Sequence, residues 1–396
     1  MNSGESGSRL RGSSFVLFVL CVASFLSALN FFATSPFYPE MAGDLGTTIP
    51  LLGQAITMML IISAVLGLIV GPLADSFGYR RLLTLGVVAI SANLIGTAIT
   101  PGYPPLLGLS LVGALGDALV FGLTIALAST LFTGSERRRA ISWTIAALSV
   151  GAIAGVPVLT TIGDAAGWRV AIGAAGIASI AVAWMVHVAL PADQVHPGTR
   201  FRTQDILAAY APLLGHAPTL RLLAVTILRA LWFLGLVTYL GAYLGDELGL
   251  TTRQVGLAYM LGGTGSTIGS FIAGTQLVER QARGIVALAN VGGGLLLGII
   301  LSGSSTVVAL TLLPLSTAMA SIGGVGVATL LAVESPAKAG TTMALNASLL
   351  NAGAAAGAAI GGALIAVGGY GSMGIGLPAF AFAAAIVAWW PGGPSR

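Results

Sequence analysis

Gly71-Pro72-Leu73-Ala74-Asp75-Ser76-Phe77-Gly78-Tyr79-Arg80-Arg81 is a polar string set between two apolar runs, Leu51 to Val70 and Leu82 to Thr100. Lipid tails cannot hydrogen-bond an open backbone, so a string carrying one carboxylate and two guanidiniums is expected to turn at a membrane face. Gly71, Ala74 and Gly78 are small enough for two helices to close around it, and Asp75 can accept from helix N-termini or from an arginine. The two flanking runs then become neighbouring transmembrane helices.

The whole composition agrees. Of the 396 residues, 56% are hydrophobic and only 8% are charged, against about 25% charged in soluble domains, and the mean hydropathy is +0.95. An all-α integral membrane protein with almost no soluble portion follows. The single cysteine, Cys21, lies in an apolar run, so no disulfide framework and no cysteine-based metal site is expected. Fifty-six glycines fit helices that approach one another closely in lipid. The basic residues are sixteen Arg and one Lys, which fits a GC-rich bacterial genome and hence the cytoplasmic membrane of a bacterium.

Outward from the string, apolar runs of the length a bilayer demands, about 20 residues, recur along the chain. They are placed at Phe15 to Phe37, Leu51 to Val70, Leu82 to Thr100, Pro104 to Phe132, Ala140 to Ile162, Trp168 to Leu190, Leu222 to Leu244, Gln254 to Leu277, Gly284 to Leu301, Thr306 to Val333, Ala339 to Val367 and Tyr370 to Trp390. That makes twelve helices in two six-helix bundles, residues 15–190 and 222–391, with terminal tails at 1–14 and 392–396. The first run is too long for a signal-peptide core and is read as a retained helix. The connection 191–221 is the only long hydrophilic one, and Ile206, Leu207, Tyr210 and Leu213 give its Thr203 to Leu214 portion the spacing of a surface helix. If the Asp75 string is cytoplasmic, fourteen basic residues lie inside and only Arg169 and Arg253 outside, which puts both termini in the cytoplasm.

The two halves repeat. Asp44-Leu45-Gly46, Thr48 and Gly53 match Glu247-Leu248-Gly249, Thr251 and Gly256 at an offset of 203, and Gly71 and Arg80 match Gly274 and Arg283. Gly274 to Arg283 thus reads as a decayed copy of the opening string, and Gly167-Trp168 matches Gly369-Tyr370 at an offset of 202. Parallel repeats of this kind place a substrate site between the halves.

The string Gly71 to Arg81 resembles the signature between the second and third helices of the major facilitator superfamily, with Ser76 and Tyr79 departing from its usual basic residues. With the twelve runs and the duplication, the resemblance extends from about Phe15 to Trp390. It implies a secondary active transporter that rocks two bundles about a midplane cavity, with Gly71, Asp75, Gly78, Arg80 and Arg81 acting as a cytoplasmic gating turn. Gly151, Gly155 and Pro157 resemble the fifth-helix signature of proton-coupled drug antiporters, although Val156 separates the second glycine from the proline. Gly167-Trp168-Arg169 also resembles that branch. The branch's fourth-helix arginine is missing, because Val112 stands at its position.

Ionisable residues within the apolar runs are functional candidates. Asp117 near the middle of the fourth run can carry a proton, pair with a cationic substrate, or simply hold a helix donor. Arg229 in the seventh can meet Asp117 or an anionic substrate group, or snorkel to the surface. Asn30, Phe31, Phe32, Tyr38, Trp232, Phe233, Tyr239, Asn346 and Asn351 are candidates to line a cavity, against the commoner use of such residues in helix packing. His187 is read as interfacial, and Glu40, Asp44, Asp246 and Glu247 as the acidic outer ends of the first and seventh helices. The expected activity is proton-driven efflux of a small apolar or drug-like compound, by a monomer, with the proton gradient as energy source and no cofactor, metal or nucleic acid. A sugar, metabolite or lipid substrate, in either direction, stays open. A multi-pass enzyme is disfavoured by three histidines, one cysteine and no clustered carboxylates.

Overall fold

In the computed structural model, which describes residues 3–191, 210–273, 282–303, 305–337 and 339–389, the apolar runs become helices, which satisfy most backbone polar groups within each run. The first half comprises α1 (Ser3–Phe32), a 3-10 turn (Ser35–Phe37), α2 (Tyr38–Asp44), α3 (Ile49–Gly67), α4 (Val70–Phe77), α5 (Tyr79–Ile99), α6 (Tyr103–Leu131), α7 (Gly134–Val150), a π-helical turn (Gly151–Gly155), α8 (Val156–Ala166) and α9 (Trp168–Ala189). The second comprises α10 (Ala217–Asp246), α11 (Thr252–Ala273), α12 (Ala282–Leu301), α13 (Thr306–Glu334) and α14 (Ala339–Trp389).

Ten stretches among the described residues are long and apolar enough to cross a membrane. One of them, Thr341–Trp389, is two crossings, because α14 breaks at Gly368 and Gly369. That division, and α11, which is 22 residues long but less apolar than the others, bring the helical segments to the expected twelve.

Three expectations change. The string Gly71 to Arg81 is not an open turn: residues 70–77 form α4, and only Gly78, at φ 96°, reverses the chain into α5. A side chain at that φ would be strained, so a single glycine does the work expected of the whole string. Helix α1 begins at Ser3, so most of the expected tail is helical. Of the expected surface helix, residues 210–214 are helical and Leu213 is fully buried, against Leu222 and Leu223, rather than lying on lipid. The rest of that segment, and 274–281 of the expected decayed copy, lie outside the described residues.

The duplication is visible in the backbone. Gly167 and Gly369 both take positive φ, at 85° and 67°, as do Gly46 and Gly249, at 61° and 65°. Ser35 and Thr238, themselves 203 apart, touch: Ser35 Oγ donates to Thr238 O at 2.8 Å. The repeat axis therefore passes beside this contact.

The helix directions give the molecule two faces. Arg80, Arg81, Arg137, Arg139, Arg221 and Arg283 lie near the starts of α5, α7, α10 and α12, at what we call the basic face. Glu40, Asp44, Asp164, Asp246 and Glu247 lie at the opposite, acidic face, together with Arg169 and Arg253.

Candidate transport site

Asp117 is the fifteenth of the 29 residues of α6, as far from both faces as that helix allows. Two other helices supply its partners. Ser27 of α1 donates to Oδ1 at 2.6 Å and Ser63 of α3 approaches Oδ2 at 3.3 Å, while Ser63 Oγ also lies 2.9 Å from Ala114 O. Both serines are almost completely buried. Among the described residues no cation pairs with Asp117. A carboxylate held only by neutral hydroxyls keeps lone pairs for a proton or a cationic group.

The carboxylate borders a cavity of about 470 Å³, lined by Ser63, Phe121, Ser129, Met343, Ser348 and Asn351 among others. Since α3 and α6 run toward the basic face and α14 starts there, this cavity extends from Asp117 toward that face, between the two halves. Its size falls within the range of small-molecule sites, about 300 to 1,000 Å³. A second cavity of about 240 Å³ is lined by Phe32, Ser149, Phe233, Tyr259, Ser266 and Thr317, from α1, α7, α10, α11 and α13.

Toward the acidic face the halves are joined without space. A Cβ at Gly241 of α10 would stand 2.4 Å from Ser35 O and 2.6 Å from Pro36 Cα. Tyr259 Oη donates to Ser35 Oγ at 2.8 Å and to Val237 O at 3.1 Å, so one phenol ties α11 to α10 and to the 3-10 turn. Tyr239 donates to Ala358 O at 2.8 Å, stacks edge-on against Tyr38, and lies so close to Gly53 that a Cβ there would overlap its hydroxyl. Thr252 Oγ1 donates to Glu40 at 2.8 Å across the surface.

Arg229 is not brought to Asp117. Its Nη1 donates to Ala320 O at 3.2 Å, and its guanidinium lies against the open backbone of Gly324, where a Cβ would stand 3.0 Å from Cζ. Arg229 Nε is buried with no partner. The candidate lining residues divide. Phe32, Phe233 and Asn351 border the cavities. Phe31 stacks edge-on against Phe32, one position away from that lining. Asn30 instead accepts from Asn93 at 2.9 Å and, with Tyr38, borders a void of only about 30 Å³. Trp232 donates to Asn290 at 3.0 Å, and Asn346 accepts from Thr226 at 2.7 Å, so both tie helices of the second half. Ser63, Tyr259 and Ser348 do not stand out in the sequence: a lone hydroxyl in an apolar helix carries no signal there.

The fifth-crossing glycines are sites of close approach. A Cβ at Gly151 would lie 2.7 Å from Ala28 Cβ, and one at Gly155 2.8 Å from Leu29 Cδ1, so α1 packs on the π-helical turn. Pro157, at the start of α8, leans on Gly256 of α11, where a Cβ would be 3.1 Å from its Cα. At the basic face Arg80 Nη2 lies 2.9 Å from His187 Nε2, joining α5 to α9. Gly71 lies within α4, and Arg81 follows Arg80 in the first turn of α5. The side chain of Asp75 lies outside the described residues.

A twelve-crossing bundle with an internal repeat and an interfacial cavity is one transporter architecture among several, and sequence comparison decides which. The profile of the Major Facilitator Superfamily matches residues 20–349. This chain belongs to the Major Facilitator Superfamily. Its relatives include a chloramphenicol resistance protein of Streptomyces lividans, 27% identical over 281 residues and 69% of each chain. The inner membrane transport protein YdhP of Escherichia coli is 27% identical over 375 residues and 90% of each chain. Among solved major facilitator structures, the nucleoside transporter NupG superposes with a TM-score of 0.76 at 11% identity, over 94% of this chain and 98% of that one. At that identity the match speaks for the fold alone. The protein is a multi-pass membrane transporter of the superfamily, not an enzyme.

Proposed function

We propose that this major facilitator transporter exports small, largely apolar compounds of the chloramphenicol kind, driven by the proton gradient, with Asp117 as the group that binds the proton or a cationic substrate. The observation that carries the reading is a mid-membrane carboxylate, hydrogen-bonded among the described residues by Ser27 and Ser63, on the wall of an interfacial cavity of about 470 Å³. The likeness to a chloramphenicol resistance protein supports export, as does the resemblance of Gly151, Gly155 and Pro157 to the antiporter signature. The excess of arginine at the basic face supports a cytoplasmic orientation for it. The state described here is then closed to the outside, with its cavity on the cytoplasmic side. In this reading α4, Arg80 and Arg81 form part of the cytoplasmic gate.

Expression in an efflux-deficient bacterial host tests the activity. Cells carrying the parent protein should keep less radiolabelled chloramphenicol than cells carrying the empty vector, and an uncoupler should abolish the difference. Equal retention, with the protein present in the membrane, would remove this class of substrate and leave sugars, metabolites or lipids.

A further inference from the structure

The acidic ends of the two halves are built on the same plan and filled differently. In the first half Trp168 Nε1 donates to Asp44 Oδ2 at 2.8 Å, and the guanidinium of Arg169 lies over the indole, with Cζ 4.4 Å from the ring centroid. Arg169 Nη1 donates to Ala98 O and Thr100 O, at 3.0 and 2.9 Å, where α5 ends, and its Nε lies 3.9 Å from Asp44. One cation thus stands on an aromatic ring, beside a carboxylate and against carbonyls at a helix C-terminus. All three are environments that favour positive charge.

The repeat carries each of these parts into the second half except the cation. Trp168 becomes Tyr370, Asp44 becomes Glu247, and Ala98 and Thr100 become Leu301 and Gly303, at the C-terminus of α12. Arg169 becomes Gly371. There, in place of a guanidinium, is a cavity of about 430 Å³ lined by Tyr243, Glu247, Leu301, Gly303, Tyr370 and Gly371. A Cβ at Gly371 would meet nothing within 4 Å. Tyr370 is only 7% exposed, and its hydroxyl has no partner. Its ring meets Tyr243 edge-on at 5.4 Å, which gives the cavity two aromatic walls. Among the described residues neither Glu247 nor its neighbour Asp246 makes an ion pair.

We propose that this acidic-face cavity of the second half is a binding site for an organic cation, a guanidinium or ammonium group, which takes the place that Arg169 fills in the first half. The site is separate from the cavity around Asp117 and lies within one half, on α10, α12 and α14. The Glu247 carboxylate supplies the counter-charge, the Tyr243 and Tyr370 rings supply cation–π faces, and the end of α12 supplies carbonyls. The ligand can reach it as a soluble cation or as the ammonium headgroup of a phospholipid.

Phenylguanidine titrated into the purified full-length protein in detergent, followed by calorimetry, tests the site. The parent should bind saturably. Glu247→Gln should weaken binding about tenfold or more, and Gly371→Arg, which supplies its own guanidinium, should abolish it. Gly371→Ala should bind as the parent does. No saturable binding by the parent, or undiminished binding by Glu247→Gln or Gly371→Arg, would each overturn the proposal. Repeating the titration in phosphatidylglycerol nanodiscs, with and without phosphatidylethanolamine, separates the sources: competition by phosphatidylethanolamine identifies a lipid ammonium, and undiminished binding a soluble cation.

Discussion

Toward the acidic face the two halves meet backbone to backbone; toward the basic face they meet around empty space. At Gly241 the approach to Ser35 and Pro36 leaves no room for a methyl group, and the hydroxyls of Ser35 and Tyr259 donate to carbonyls of α10, at Thr238 and Val237. Around Asp117 the same two halves enclose about 470 Å³. Glycine-to-backbone contacts are all-or-none, because neither partner has a side chain that can yield, whereas a cavity bordered by side chains can shrink by rotamer changes. In the proposed function the difference has a meaning: the acidic-face contact would be the closed gate of this state, and the basic-face cavity the chamber.

The comparison can be broken at the gate. Gly241→Leu places side-chain atoms where Ser35 O and Pro36 now stand and should hold the gate open. Transport should fall by about tenfold or more. In a background with Cys21→Ser, a cysteine at Ser149, in the second cavity, should become reactive to an impermeant maleimide from the acidic face; no gain in reactivity would mean the seal lies elsewhere. Ser35→Ala is milder, since Tyr259 keeps its bond to Val237 O. With that bond kept, the net loss is the hydrogen bond from Ser35 to Thr238 O, worth about 1 kcal/mol, and it should shift the balance of states roughly fivefold, seen as partial maleimide labelling at the same position. Ser27→Ala probes the chamber instead: it removes the shorter of the two hydroxyl contacts to Asp117 and should lower turnover roughly threefold without opening the gate. A gate that opened in Ser27→Ala would merge the two regions that we separate.

Much of this is legible in the sequence. Crossing length and charge placement depend on the bilayer, so the twelve runs and the basic face follow from hydropathy and arginines alone. Asp117 stands out because a carboxylate in an apolar run is costly. Which side of each helix faces the cavity is not legible. These helices are apolar all round, so no polar stripe sets an inner face apart from an outer one. Phe31 and Phe32 show the consequence: one residue, or about 100° of turn, separates a ring that borders the second cavity from one that packs beside it. Asn30 and Trp232 read as lining candidates because their partners, Asn93 and Asn290, lie far off in sequence. The Asp75 string reads as a turn when its charge is given more weight than its helix formers, whereas Gly78 alone supplies the reversal.

The central claim is that Asp117 couples the proton gradient to transport, and one measurement reaches it directly. Inside-out proteoliposomes carrying the parent or Asp117→Asn would be given an inward proton gradient and radiolabelled chloramphenicol. The substitution keeps the size and removes the charge; the amide oxygen can still accept from Ser27 and the amide nitrogen can donate to Ser63 Oγ, whose proton goes to Ala114 O, so folding and gate should survive. Gradient-dependent accumulation by the parent that collapses in Asp117→Asn is the result predicted. Equal gradient-driven accumulation by both proteins would contradict it and return Asp117 to a structural role between α1, α3 and α6.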